Sequence, residues 1–369
     1  MDIPFQKKNT GTRRRKAGAF TLLEILISMA LLSILIVVMS QVVSGIGSAW
    51  KRTSNKMGQF SEGRAALESI SRTLSQATLN PYWDYQRASV TSPPTGYFRQ
   101  SELRFLSGPA SVIGLGGARV SHALAFQAPL GLTSGTSVVD TAGLHSLLNT
   151  CGYFIEFGSD ASLRPSFLGT RVPLRYRYRL FEMRQPADEL AIYTYTSGTD
   201  SSGQSKALTY AGKDWFLTPL SSSKPPVQFL AENVVAMIVL PQLAEADQTN
   251  YGLTPASLAP RYLYDSSGDG QKLVDALLGS KNQLPPVVSV MIVAVDEASF
   301  SRFQGSSTTM PASLGLANLF QTVGDTLDAT QAGYARDLQT LETNLRTNHI
   351  NYHIFTAKIA IPGSKWSAL

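Results

Sequence analysis

The sequence predicts an α+β protein: one long N-terminal helix that begins in a membrane, followed by a domain of mainly antiparallel strands. Three observations carry this expectation. Between Ala19 and Val43 the only ionisable side chain is Glu24. Residues 60–77 place apolar side chains at helical spacing, and beyond Pro81 the apolar residues fall largely into short alternating runs separated by Gly, Pro, Ser and Thr. With 369 residues, 43% of them hydrophobic and 16% charged, the chain has enough apolar mass for one or two cores besides a membrane segment.

The first region, 1–19, is a basic leader. Lys7, Lys8, Arg13, Arg14, Arg15 and Lys16 against Asp2 place +5 of the formal +6 in these residues, which leaves +1 for the rest of the chain. The basicity therefore belongs to the leader and gives no reason to expect a nucleic-acid-binding body.

The second region, 20–79, is the helix. The 25 residues from Ala19 to Val43, at a rise of about 1.5 Å each, cross a hydrocarbon core of about 30 Å with some tilt, so 20–43 is the expected transmembrane part of this helix. The cation cluster before this span orients the N-terminus to the cytoplasm and the rest of the chain outward. Ser44-Gly45-Ile46-Gly47-Ser48 is expected to soften the helix into a bend. Residues 44–79 then continue as an amphipathic helix, with Phe60, Leu67, Ile70, Leu74 and Ala77 on one face and Arg64, Glu68, Arg72 and Gln76 between them, until Asn80-Pro81 ends the pattern.

A secretory signal would place its small-residue cut site after a shorter apolar run. Here Ala17-Gly18-Ala19 precede the run, and Phe20-Thr21-Leu22-Leu23-Glu24 follow directly. That order resembles the type IV prepilin signature. The resemblance implies cleavage after Ala19 by a prepilin peptidase, N-methylation of the new Phe20 amine, and retention of the helix in a type IV pilin-like subunit. The residue before Phe is usually Gly in that signature; here it is Ala19, with Gly18 one position earlier, and cutting after Ala19 keeps Glu24 fifth. A carboxylate inside an apolar helix costs on the order of 2.5–3.5 kcal/mol without a partner. In pilins that partner is the N-terminal amine of a neighbouring subunit, so the resemblance makes Glu24 the assembly residue.

The third region, 80–369, is the extracytoplasmic domain. After Tyr82-Trp83-Asp84-Tyr85, short strands are expected at 102–105 and 123–126. Leu174-Arg175-Tyr176-Arg177-Tyr178-Arg179-Leu180 alternates most strongly, so Tyr176 and Tyr178 are expected inward and Arg175, Arg177 and Arg179 solvated. Further strands are expected at 227–240, at 287–295 behind Leu284-Pro285-Pro286, and at 350–361, with a helix over 334–346 carrying Leu338, Leu341 and Leu345. Segments 197–206, 221–226 and 305–313 read as exposed loops. The strand–loop–Pro-led strand order resembles minor pilins and pseudopilins. Together with Ser75-Gln76-Ala77-Thr78-Leu79-Asn80, Leu284-Pro285-Pro286-Val287 and the closing Lys365-Trp366-Ser367, it resembles the Verru_Chthon cassette protein C group of prepilin-like proteins.

Catalytic motifs are absent: there is no G-x-S-x-G elbow, no H-E-x-x-H and no cysteine cluster. Asp265-Ser266-Ser267-Gly268-Asp269-Gly270 presents oxygens where a calcium loop has its first three ligands (Asp265, Ser267, Asp269), but Ala276 stands where the bidentate acid belongs. No cofactor is expected. Cys151, the one cysteine, reads as a core residue.

The functional expectation is therefore a non-catalytic minor pilin or pseudopilin of a type IV pilus-like or type II secretion-like filament. Its expected partners are the prepilin peptidase/methyltransferase, other pilins, an inner-membrane assembly platform and membrane lipid, with the C-terminal domain in the periplasm or on the filament. The other reading is a membrane-tethered display module for adhesion or for polysaccharide or DNA uptake.

Overall fold

The computed structural model describes residues 22–364 apart from 90, 136–143, 145, 166, 168–171, 194–195, 200–204, 210–212, 253–257, 268–279 and 322–326. Two units divide the chain, 1–56 and 57–369. Helix α1, Leu22–Leu74, runs for 53 residues without a proline. The helix continues through Gly45 and Gly47. The last turn tightens as Gln76 and Ala77 N–H donate to the carbonyls of Thr73 and Leu74, and left-handed Asn80 then turns the chain away.

Within the second unit, the amphipathic stripe is what seats this helix. Ala66, Leu67, Ile70, Leu74 and Ala77 are buried, while Arg64, Glu68, Arg72 and Gln76 stay exposed. A Cβ at Gly63 would lie 3.2 Å from the ring of Phe355 and 3.3 Å from Ala294, so the helix approaches the sheet closely at this residue. Lower down the helix, Thr73 bonds the Tyr153 hydroxyl, which in turn donates to Glu182 at 2.6 Å.

The strands beneath are β1 Tyr82–Gln86, β2 Gly96–Gln100, β3 Leu106–Pro109, β4 Arg119–Pro129, β5 Leu148–Ser159, β6 Tyr176–Gln185, β7 Thr196–Thr199, β8 Ser205–Thr209, β9 Val227–Glu232, β10 Val234–Gln242, β11 Tyr264–Asp265, β12 Val287–Val295 and β13 Tyr352–Ala360. All pairings are antiparallel. Six strands form one sheet in the order β11-β3-β4-β5-β6-β9, three form another in the order β10-β12-β13, and β1-β2 and β7-β8 are separate hairpins. Helices α2 Asp214–Leu220, α3 Glu245–Tyr251, α4 Glu297–Gln304 and α5 Leu327–Thr347 join them. The architecture is α+β and pilin-like: a long N-terminal apolar helix followed by mainly antiparallel sheets.

The apolar strands 123–126 and 287–295 lie where alternation and β-branching place them, and α5 buries Leu341 and Leu345. Four expectations require correction. The run 227–240 is two strands in two different sheets, because Asn233 takes a left-handed conformation (φ 59°) and turns β9 into β10. Residues 102–105 precede β3 and make no ladder. The Arg104 and Phe105 N–H groups instead donate to the side chains of Gln127 and Ser266. Segment 197–206 contributes to the β7–β8 hairpin at both ends. Finally, Arg177 and Arg179 are only 3% and 2% exposed, because β6 is an inner strand with packing on both faces.

A bulge in β4 ties the two larger sheets together. Ser121, with φ 62°, interrupts the register with β5, and its hydroxyl both donates to Met237 O at 2.6 Å and accepts Met237 N–H at 3.1 Å. The next residue, His122, accepts Val239 N–H at Nδ1 and lies 3.0 Å from Phe320 O through Nε2. Nδ1 also lies 3.2 Å from Val239 O, so each ring nitrogen faces a backbone carbonyl. Side chains thus replace the backbone partners that β10 would have in a continuous sheet.

Candidate functional site

The N-terminal part of α1 is the candidate site. From Leu22 to Ile46 every residue is exposed, and the most apolar 18-residue stretch within it has a mean hydropathy of 2.8. These 25 residues are about 37 Å long at 1.5 Å per residue, enough to cross a hydrocarbon core. Leu22, Leu31, Ile34, Ile36 and Val43 are each more than half exposed, so this surface must be covered by lipid or by other subunits. Two hydroxyls within it are satisfied by the helix itself: Ser28 donates to Glu24 O and Ser33 to Met29 O, both at 2.7 Å. Glu24 lies in the first turn, where the positive end of the helix dipole favours a carboxylate. Gly18, Ala19 and Phe20 lie outside the described residues.

The other chemistry-bearing residues fall elsewhere and do not converge on Glu24. Arg177 makes a bidentate pair with Glu297 at 2.8 and 2.9 Å, and Arg179 clasps Glu232 at 2.9 and 3.1 Å. Arg175 reaches Asp160, Glu232 and Glu297 at 3.4, 3.6 and 3.7 Å. Burial pushes the Asp160 and Glu297 carboxyls up, but hydrogen bonds and charge from Arg164 and Arg175 at the first, and from Arg177 at the second, outweigh it and hold both below the usual carboxylate range. The arginines of β6 are thus engaged by carboxylates, which removes the ladder of solvated cations that a nucleic-acid strand would need. A cavity of about 560 Å³ opens beside this network, with Leu163 and Phe229 among its walls.

Asp265 is buried in β11 and its carboxylate accepts Ser267 N–H at 2.8 Å, an Asx turn; Asp269 lies outside the described residues. Among the described residues no group of three or more His, Cys, Asp or Glu side chains is placed to hold a metal. Cys151 is buried, and burial pushes its thiol up to about 12, which leaves it unreactive.

Sequence reasoning missed two features. His122 gives no local signal, because its partners lie 117 and 198 residues away. The aromatic group at 82–85 was visible, but not that the β1–β2 register would set Tyr97 opposite Tyr85 and Arg99 opposite Trp83.

Residues 14–40 match the family described as the prokaryotic N-terminal methylation motif. No curated protein and no solved structure matches the chain. The motif implies processing by a prepilin peptidase and assembly with other pilins in general, and the apolar helix is the corresponding membrane anchor. The chain is a prepilin-like protein, with a type IV pilin-like N-terminal segment on an α+β body.

Proposed function

We propose that the protein is a minor pilin or pseudopilin: a non-catalytic subunit, cleaved between Ala19 and Phe20 and methylated at Phe20, that enters a pilus-like or secretion-type filament from the cytoplasmic membrane. Its N-terminus faces the cytoplasm before cleavage and residues 80–369 lie outside. The observation that carries this reading is the exposed apolar helix with Glu24 in its first turn, whose start lies within the methylation motif. Glu24 pairs with the methylated amine of a neighbouring subunit, which relieves the cost of a carboxylate in hydrocarbon. The narrower assignment to the Verru_Chthon cassette protein C group belongs to the same proposal and rests on segments 75–80 and 284–287.

Glu24→Ala tests it. Membrane insertion is expected to be unchanged while incorporation into the filament fraction is lost; full incorporation of the variant would contradict the assembly role. A second reading, a display module carried by the same anchor, is favoured by one observation: Tyr82, Trp83, Tyr85 and Tyr97 are exposed on a single hairpin.

A further inference from the structure

The cavity of about 560 Å³ beside the β6 arginines is lined by the loop that follows β5 and by strand β9, with Leu163, Pro165, Val172, Arg175 and Phe229 in its wall. Leu163, Val172 and Phe229 are exposed apolar side chains. A concave apolar wall with a few convergent polar groups is the usual form of a small-molecule site.

The loop is held in this shape by its own side chains. Arg164 pairs with Asp160 at 2.8 Å and donates to Val172 O at 2.7 Å and to Pro173 O, so each of its three guanidinium nitrogens has a partner. Asp160 in turn accepts the Arg175 backbone N–H at 3.0 Å. The side chains of Arg164 and Asp160 are only 10% and 7% exposed. The wall is therefore preformed, which lowers the ordering cost of binding.

Charge selects the ligand class. Among the described residues the network beside the cavity holds the four arginines Arg164, Arg175, Arg177 and Arg179 and the three carboxylates Asp160, Glu232 and Glu297. Each carboxylate has an arginine nearer than Arg175. Asp160 has Arg164 at 2.8 Å against 3.4 Å, Glu232 has Arg179 at 2.9 Å against 3.6 Å, and Glu297 has Arg177 at 2.8 Å against 3.7 Å. Arg175 is thus the surplus cation. Its Nη1 and Nη2 reach Glu297 and Glu232 only at 3.7 and 3.6 Å, too far for hydrogen bonds, and its side chain is 49% exposed.

A cationic ligand would meet the net positive charge of this network. A multiply charged anion such as phosphate would meet the three carboxylates around the same guanidinium. An uncharged apolar molecule would take water from the guanidinium and give it no partner in exchange. A single carboxylate avoids all three costs, and its two oxygens suit the Nη1 and Nη2 donors. The apolar walls then call for an apolar body behind that carboxylate.

We propose that this cavity binds an amphipathic monocarboxylate, with the carboxylate on Arg175 and the apolar body against Leu163, Val172 and Phe229. The site lies within the second unit and does not depend on assembly through Glu24. A fatty acid and the free C-terminus of an apolar peptide carry this chemistry alike.

Isothermal titration of the full chain in lipid nanodiscs at neutral pH, with empty nanodiscs subtracted, would compare octanoate with octanamide, which has the same chain without the charge. Octanoate is expected to bind about tenfold tighter than octanamide. Arg175→Gln should weaken octanoate about tenfold and leave octanamide unchanged, a split that misfolding would not produce. Phe229→Ala should weaken both ligands alike, whereas Arg72→Gln, at an exposed arginine on α1, should change neither. Acetylated trileucine with a free carboxylate, titrated beside octanoate, separates the two sources: the tighter ligand identifies the one the cavity takes. No binding of either carboxylate, equal affinity for octanoate and octanamide, or unchanged octanoate affinity in Arg175→Gln would overturn the proposal.

Discussion

His122 shows how one side chain takes over the role of a backbone pair. Burial lowers its pKa to about 4, against the smaller opposing effect of its bonds to Phe320 and Val239. An unfolded histidine titrates near 6.5, so between these values the unfolded chain binds the proton and the folded chain does not. Stability is therefore complete above about pH 6.5 and falls as the pH drops toward 4. From pH 6.5 to 5, before most carboxylates titrate, the loss is expected to be about 2 kcal/mol. Thermal midpoints measured across that window should fall for the natural protein and stay level for His122→Gln; equal slopes would show that His122 is not the responsible group. The arginines of β6 make the complementary point. Their alternation with tyrosines is readable, and Tyr178 is indeed buried. The solvated face inferred for Arg177 and Arg179 is wrong because their carboxylates lie 120 and 53 residues away, and local pattern carries no information about them.

Among the elements, those with strong periodicity were legible and those defined by one backbone angle were not. The stripe of Leu67, Ile70, Leu74 and Ala77 identifies both the helix and its buried face. The break between β9 and β10 was hidden because the apolar run continues through it; the only local sign is Asn233, a residue type that tolerates the left-handed region. Gly63 was equally silent, since a glycine in a helix normally only weakens it. Its role is steric, at the point where α1 meets Phe355 and Ala294. Gly63→Val should cost about 1–3 kcal/mol by forcing the helix off the sheet. A denaturation midpoint unchanged from that of the natural protein would show that the helix gives way at no cost.

At the scale of the whole molecule, the functional segment was the most legible part of the chain and the body the least. Leader, small residues, Phe20, Glu24 and the apolar run lie within the first 43 residues, so their meaning needs no tertiary structure. Residues 22–46 also keep that meaning in the fold, since each of them is exposed. The exposed aromatic hairpin required pairing between residues twelve and sixteen positions apart, Tyr97 with Tyr85 and Arg99 with Trp83, and so emerged only with the register. Assembly through Glu24 requires that the chain be processed as a prepilin. Mass spectrometry of the protein recovered from membranes measures this directly. The expected mature chain begins at N-methylated Phe20, with residues 1–19 removed; a chain that retains its leader, or is cut after the apolar run, would contradict processing as a prepilin.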